Sequence, residues 1–318
     1  MHKYPVKVLV TSSSKKIPLI MVVKQAAIRL NPGAVVVAGD ISDNVLSAYI
    51  ADEFWMMPKS EDANLIDILE GMKKRGINFI LPTRDGEMQF WSRHAKLFAN
   101  QGIAVITSTV DSIERCIDKL RFSNFGKEEC LPIIESAECI DDLTGEYFVV
   151  KERFGAGSKN IGVRLNRIQA NEHSKLLFKP IFQPFISGRE FSADAWADKM
   201  GKVKGVILRN RVFVVDGESQ VTITFSDQLI EGVIEKTIEK LHLRGPVVVQ
   251  AILGDDDCIH IIECNARFGG ASTAGVAAGL DSIYWSLLEG AGHSLEKIPF
   301  TRTEKEIKQI RVPADIYL

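Results

Sequence analysis

Short β-branched runs alternate with helical patterns through the first third of the chain. Val6 to Val10, Ala34 to Ala38 and Phe79 to Leu81 read as strands. Between the last two, Leu65, Ile68, Leu69 and Met72 recur at helical spacing and stop before Gly76, while Asn31-Pro32-Gly33 ends an earlier helix. This alternation predicts a parallel sheet covered by helices, a small Rossmann-like domain over residues 1–108. The loop after its first strand, Thr11-Ser12-Ser13-Ser14-Lys15-Lys16, lacks the G-x-G-x-x-G turn that brings backbone against a dinucleotide pyrophosphate. NAD binding is therefore not expected of this domain.

From about Thr107 the pattern changes. An Asp111-initiated helix carries Cys116 to Lys119, and Tyr147 to Lys151, Ile161 to Leu165 and Ile181 to Phe185 follow as strands. A hairpin region over Val203 to Phe225 comes next, then a helix around Asp227 to Leu241 and two apolar strands, Pro246 to Leu253 and Cys258 to Glu263. That order predicts two α+β lobes, residues 109–186 and 187–318. The charged stretch Thr303 to Lys308 reads as a solvated surface helix or loop.

Composition narrows the function. A chain of 318 residues has room for two or three packed domains, and 39 basic against 41 acidic residues leave a net charge of -2, so a nucleic-acid or anionic-membrane partner is not expected. Cys116, Cys130, Cys139, Cys258 and Cys264 form no C-x-x-C pair, and the six histidines include no H-E-x-x-H, so no zinc framework is visible. The thiols read as those of a reduced cytoplasmic protein. No apolar run approaches the roughly 18 residues of a membrane helix, and neither export nor membrane insertion is expected.

Two segments carry chemistry. In Val149 to Val163 a strand ends in Lys151 and opens into the glycine-rich stretch Gly155-Ala156-Gly157-Ser158-Lys159-Asn160-Ile161-Gly162 before another strand. Glycines there present backbone N–H groups to phosphates without Cβ obstruction, although an ordinary flexible hairpin fits the same residues. Neither a Walker loop nor a Rossmann turn fits. In Ile259 to Arg267, strand alternation puts Glu263, Asn265 and Arg267 on one face, two oxygen ligands beside a cation. A two- or four-residue turn through Gly254-Asp255-Asp256-Asp257 would set Gln250 on that face as well. Gln250, Glu263 and Asn265 then form a partial shell of hard oxygens for magnesium, completed by nucleotide phosphate and water. A buried polar network is the other reading.

In order along the chain, Lys119 in Ile117-Asp118-Lys119, Lys151 before the glycine loop, Gln183-Pro184-Phe185-Ile186-Ser187-Gly188-Arg189-Glu190, Gln250 and Glu263-Cys264-Asn265-Ala266-Arg267 resemble the ATP-grasp superfamily. The likeness is greatest to single-copy relatives of the carbamoyl phosphate synthetase large subunit, of the carboxylate-amine ligase type. It covers nearly the whole chain and implies an α/β and α+β fold, a Rossmann-like pre-ATP-grasp domain followed by a two-lobed ATP-grasp domain. It further implies ATP and Mg2+ (or Mn2+) as cofactors. Lys119 and Lys151 would contact the ATP phosphates, and Gly155 to Gly162, with Gly157 and Ser158, would form a lid over them. Gln183 to Ile186 would be the hinge, with the Pro184 carbonyl and the Ile186 N–H facing adenine, and Glu190 would hold the ribose. Family members usually carry an acidic residue where Pro184 stands. Proline keeps the carbonyl but lacks the N–H, so the adenine contact requires Ile186 as donor.

Arg209-Asn210-Arg211, followed by Asp216 to Ser219, resembles the stretch facing the reacting phosphate in such relatives, which makes Arg209 a catalytic candidate. A basic hairpin edge fits equally. Thr83, Asp85 and Glu87 follow a strand of the first domain and are candidate acceptor contacts, with helix capping by Asp85 as the rival. Phe268 to Thr273 has small residues and N–H groups suited to a carboxylate or acyl phosphate. The expected reaction is attack of a carboxylate on the γ-phosphate and attack of an amine on the acyl phosphate, with Lys119, Lys151, Arg267 and magnesium stabilising the transferring group. Partners are thus a small carboxylate and an amine, and relatives of this kind are often dimers. The alternatives are a bicarbonate-activating enzyme of the carbamoyl-phosphate-synthetase or biotin-carboxylase kind, and a non-catalytic ATP-binding subunit.

Overall fold

The computed structural model describes residues 5–155, 160–215, 217–312, 315 and 317. The first segment runs β1 (Lys7–Val10), α1 (Ile17–Leu30), β2 (Val35–Asp40), β3 (Glu53–Met56), α2 (Leu65–Arg75), β4 (Phe79–Leu81), α3 (Asp85–Ala99) and β5 (Ala104–Val105). Its strands lie parallel in the order β3-β2-β1-β4-β5. Alternate residues of each strand enter opposite cores: Val8, Val10, Val36 and Ala38 face α1, while Leu9, Val37 and Ile80 face Met72, Trp91 and Phe98 of α2 and α3. Both faces of the sheet are covered, as a parallel sheet requires.

After α4 (Val110–Ile117) and α5 (Lys119–Glu128), β6 (Tyr147–Glu152), β7 (Gly162–Asn166), α6 (Arg167–Ser174) and β8 (Pro180–Pro184) build a small sheet in the order β7-β6-β8. The expected single helix from Asp111 through Lys119 is instead two. Thr109, not Asp111, caps α4, and Asp118 leaves the helical region to cap α5 through its side chain. Lys119 consequently begins a helix rather than ending one.

The remaining elements are β9 (Gly188–Ala197), β10 (Val203–Val215), β11 (Glu218–Phe225), α7 (Gln228–Lys240), β12 (Gly245–Gly254), β13 (Ile259–Asn265), α8 (Ser272–Ala277), α9 (Ser282–Gly290) and β14 (Lys308–Ile310). Among the described residues they form a second sheet ordered β13-β12-β9-β10-β11-β14. The charged tail is neither helix nor wholly loop, because Lys308 to Ile310 pair with Val221 to Ile223 at the sheet edge. One face of this sheet is apolar: Phe191, Ala193, Ala195, Leu208, Val247, Val249, Ala251, Ile261 and Cys264 pack against α4, α5 and α7. The other is polar, and period-2 alternation requires the two sets to interleave.

Two connections fix the parts to one another. Residues 131–138 run between the sheets, with Ile134 N–H on Ile261 O at 3.0 Å and Ala137 N–H on Phe182 O at 3.0 Å. In α9, Ile283, Leu287 and Leu288 join the α1 face of the first sheet, so a late helix completes an early core. Among the described residues no helix is long and apolar enough to cross a membrane.

Candidate active site

The polar face of the second sheet converges on β12 and β13. Leu253 pairs with Ile259 after the turn, a register that by itself would set Ile262 opposite Gln250. A bulge between Gln250 and Ala251 shifts the ladder by one residue, so that Gln250 faces Glu263 and Val248 faces Asn265. The metal-ligand face expected from turn length thus depends on the bulge as well. Asn265 Nδ2 donates to Glu263 Oε1 at 2.9 Å. Two amide oxygens and one carboxylate are a hard donor set of charge -1, which fits a magnesium ion that takes its remaining ligands from phosphate and water. No group of three His, Cys, Asp or Glu side chains able to hold a metal occurs among the described residues, so a carboxylate-rich cage is not what this face offers.

Two lysines face this set from the other lobe. Lys151 sits on β6 between Val150 and Glu152; Val150 enters the core under α6, and Lys151 takes the opposite side. It is 6% exposed, and its ammonium makes no hydrogen bond or ion pair among the described residues. Burial lowers its pKa to about 8, with Lys119 acting in the same direction and Glu263 and Glu190 against it. Lys119 donates from Nζ to Gly155 O at 2.5 Å, and burial lowers its pKa too, opposed by Glu263, Asp85, Asp118 and Glu152. Both cations are therefore held desolvated over the Glu263 strand.

Arg153 and Asp118, which the sequence patterns did not single out, position this pair. Arg153 donates to both carboxylate oxygens of Asp118, Nε and Nη2 each at 2.7 Å, tying the start of the glycine loop to the cap of α5. Burial opposes ionisation of Asp118, but hydrogen bonds from Arg153 and from the N–H groups of Arg121 and Leu120 outweigh it and lower its pKa. The signal in the sequence was the helix-breaking Asp immediately before Lys119.

Of the loop itself, Gly155 and Gly162 are placed at its two ends, while Gly157 and Ser158 lie outside the described residues. The hinge residues lie between the sheets: Gln183 is buried and donates to Ser136 Oγ at 2.8 Å, Pro184 ends β8, and Phe185 N–H is used by Tyr147 O. The Ile186 N–H has no backbone acceptor among the described residues. Glu190, expected at a ribose, lies 3.1 Å from Arg211 Nε.

Arg209 is placed differently from the expectation. It is 2% exposed and bound through Nε (2.5 Å) and Nη2 (3.2 Å) to Asp194, itself 3% exposed. Asp194 also accepts from Ser272 Oγ at 2.7 Å, which in turn accepts from Gly269 N–H at 2.8 Å. Gly275 completes the fit, since a Cβ there would lie 2.9 Å from the Asp194 carboxylate. Arg209 therefore anchors the turn after β13 instead of presenting its guanidinium to a phosphate. Arg267 faces the crevice, where it donates to Asp85 through Nε at 2.7 Å and through Nη2.

The three acceptor candidates of the first segment also have other duties. Glu87, 1% exposed, accepts from Thr11 Oγ1, Ser60 Oγ, Trp91 Nε1 and the N–H groups of Thr83 and Arg84. Thr83 Oγ1 donates to Thr11 O at 2.7 Å. Asp85 pairs with Arg267, and Glu87, not Asp85, supplies the capping contact of α3.

Comparison with known proteins accords with this geometry. A model of the ATP-grasp domain matches residues 116–271, and a model of the PylC-like N-terminal domain matches residues 8–106. No curated protein matches by sequence. Among solved structures, the biotin carboxylase domain of Hydrogenobacter thermophilus 2-oxoglutarate carboxylase, a dimer with MgADP, ADP and bicarbonate, is 19% identical. The alignment covers 96% of this chain and 74% of that one, with a TM-score of 0.75. Staphylococcus aureus N5-carboxyaminoimidazole synthetase complexed with ADP is 18% identical over 92% of this chain and 79% of that one, TM-score 0.70. An L-amino acid ligase from Bacillus licheniformis is 18% identical over 91% and 75%, TM-score 0.68. At such identities these neighbours establish the fold. The two family models adjoin along the chain, and residues 8–106 and 116–271 are accordingly a PylC-like N-terminal domain followed by an ATP-grasp domain.

Proposed function

We propose that this protein is an ATP- and magnesium-dependent ligase that activates a carboxylate as an acyl phosphate, releasing ADP, for attack by an amine. The observation that carries the proposal is the opposition of Gln250, Glu263 and Asn265 to two desolvated lysines, Lys119 and Lys151, across the cleft between the sheets. Solved neighbours named for carboxylation and for amino-acid ligation share the fold and support this class of reaction.

Magnesium would be held by Gln250, Glu263 and Asn265 and would neutralise phosphate charge as a Lewis acid. Lys119 and Lys151 bind the phosphates as point charges already stripped of water, so little reorganisation accompanies transfer. The Gln183 to Ile186 strap offers the Ile186 N–H and the Pro184 carbonyl to adenine, and Glu190, beside Arg211, would hold the ribose. Gly155 and Gly162 bound the lid, which excludes water from a hydrolysable acyl phosphate. Arg267, already in a charge pair with Asp85, stabilises the transferring phosphoryl group and orients the carboxylate that attacks it. Residues 1–108, 109–186 and 187–318 serve as acceptor-side domain, lid lobe and metal lobe, and the dimeric neighbour supports a homodimer as the assembly.

The test is ADP release with ATP and Mg2+ across pairs of small carboxylic acids and amines, with bicarbonate as one acid and Glu263→Ala as control. Release that depends on one acid-amine pair and vanishes in the variant supports the ligase. Release with bicarbonate alone would replace it by a bicarbonate-activating reaction, and confirmed ATP binding without release for any pair would refute it.

A further inference from the structure

Beyond Arg267 the cleft continues into a cluster that the phosphate site does not use. Lys16 of the loop after β1, Arg267 after β13 and Arg311 after β14 gather there, with Asp85 and Glu218 as counter-charges. Arg267 is matched by Asp85, and Arg311 Nη1 by Glu218 at 2.9 Å. Lys16 is left over: its ammonium makes no hydrogen bond or ion pair among the described residues. Burial first, then Arg267 and Arg311, lower its pKa, and Glu218 and Asp85 act against them.

Three further features converge on the same place. Arg311 Nη2 donates to Gly270 O while its Nε is buried without a partner, and a Cβ on Gly270 would lie 2.9 Å from that guanidinium. Lys16 is the N-cap of the 14-residue helix α1, which has no side-chain cap and no acidic residue in its first turn. Pro18 in its first turn has no N–H and the Lys16 N–H goes to Ser13 O, which leaves the N–H groups of Ile17 and Leu19, and the positive end of the dipole, unmatched by a protein anion among the described residues. Finally, β1 and β4 are neighbours whose connections leave toward opposite edges of the sheet, to β2 and to β5. That is the switch point where a crevice opens beyond the carboxyl ends of the strands, and Lys16 and Asp85 stand on its two lips.

We infer that this crevice is the subsite for a second, non-reacting anionic group of the substrate acid, held by Lys16, the first turn of α1 and Arg311. The inference rests on the ligase reading in placing the reacting carboxylate at Arg267, and it makes the substrate class a dianion, either a dicarboxylate or a phosphorylated carboxylate. A monocarboxylate fills the Arg267 end and leaves Lys16 unmatched.

Calorimetric titration of the full chain with succinate, phosphoglycolate and acetate tests this without turnover. The wild type is compared with Lys16→Met, which keeps the stem, with Lys16→Gln as a second uncharged variant, and with Lys16→Arg. One or other dianion is expected to bind at least tenfold more tightly than acetate. Lys16→Met and Lys16→Gln should lose that margin and Lys16→Arg should keep it, with MgATP affinity within twofold throughout. Preference for succinate assigns a carboxylate to the subsite, and preference for phosphoglycolate assigns a phosphate. Dianion binding that is no tighter than acetate, or that is unchanged in an uncharged variant still binding MgATP, overturns the inference. Lys16-dependent dianion binding in a protein that never binds MgATP would remove the ligase reading and leave the anion site standing.

Discussion

The Asp194–Arg209 pair makes the sharpest test of how the site is supported. Both side chains are almost wholly buried, and the carboxylate has a third partner in Ser272. Removing one member leaves an uncompensated charge in the sheet, which costs about 3–5 kcal/mol, whereas replacing both by apolar groups of similar volume is often neutral within about 1–2 kcal/mol. Arg209→Met alone should therefore lower the unfolding midpoint by roughly 6–20 °C, at about 2–4 °C per kcal/mol. Asp194→Leu alone should do the same, and the double variant should recover most of the loss. Trp196 and Trp285 flank this region and give a fluorescence signal for the transition. If Arg209→Met leaves the midpoint unchanged but abolishes ADP release, the anchoring role is refuted and the arginine acts on phosphate after all. Non-recovery in the double variant would show that the hydrogen bond to Ser272, not the charge pair, carries the stability.

Two other outcomes follow from the same physics. Burial brings Lys151 from its ordinary value of 10.5 to about 8, so charging it opposes folding below pH 8 and this penalty fades as pH rises toward 10.5. Phosphate binding needs the charged form, so calorimetry should show MgATP dissociation constants rising by up to about tenfold from pH 7 to pH 9. A flat profile would mean that Lys151 does not hold phosphate. Glu87→Ala orphans several buried donors and should cost about 3–5 kcal/mol in urea unfolding with MgATP affinity unchanged; an intact midpoint would refute its hub role.

The order and type of elements were legible in the chain, because strand period, helix period and glycine or proline stops are local properties. The candidate residues were legible as types, Lys before a glycine loop and Glu-x-Asn on a strand, while Arg267, expected on the same strand face, lies beyond the end of β13. Which groups meet was not legible. The pairing of Gln250 with Glu263 rests on a bulge at Ile262, and a one-residue slip would send every side chain beyond it to the other face. The short hop from α4 to α5 at Asp118 is set by Arg153, thirty-five positions away in sequence. Arg209 and Arg211 read alike as strand arginines, yet burial against Asp194 reserves the first for anchoring. Lys16, Arg267 and Arg311 come from three separate loops and Asp85 from the start of α3, and only the docking of the first sheet against the last brings their charges together. Sequence by itself determined the main strands and helices and the kinds of residue proposed for the site. Tertiary structure decided register, pairing and which charges were left unmatched, since those depend on contacts between segments far apart in the chain.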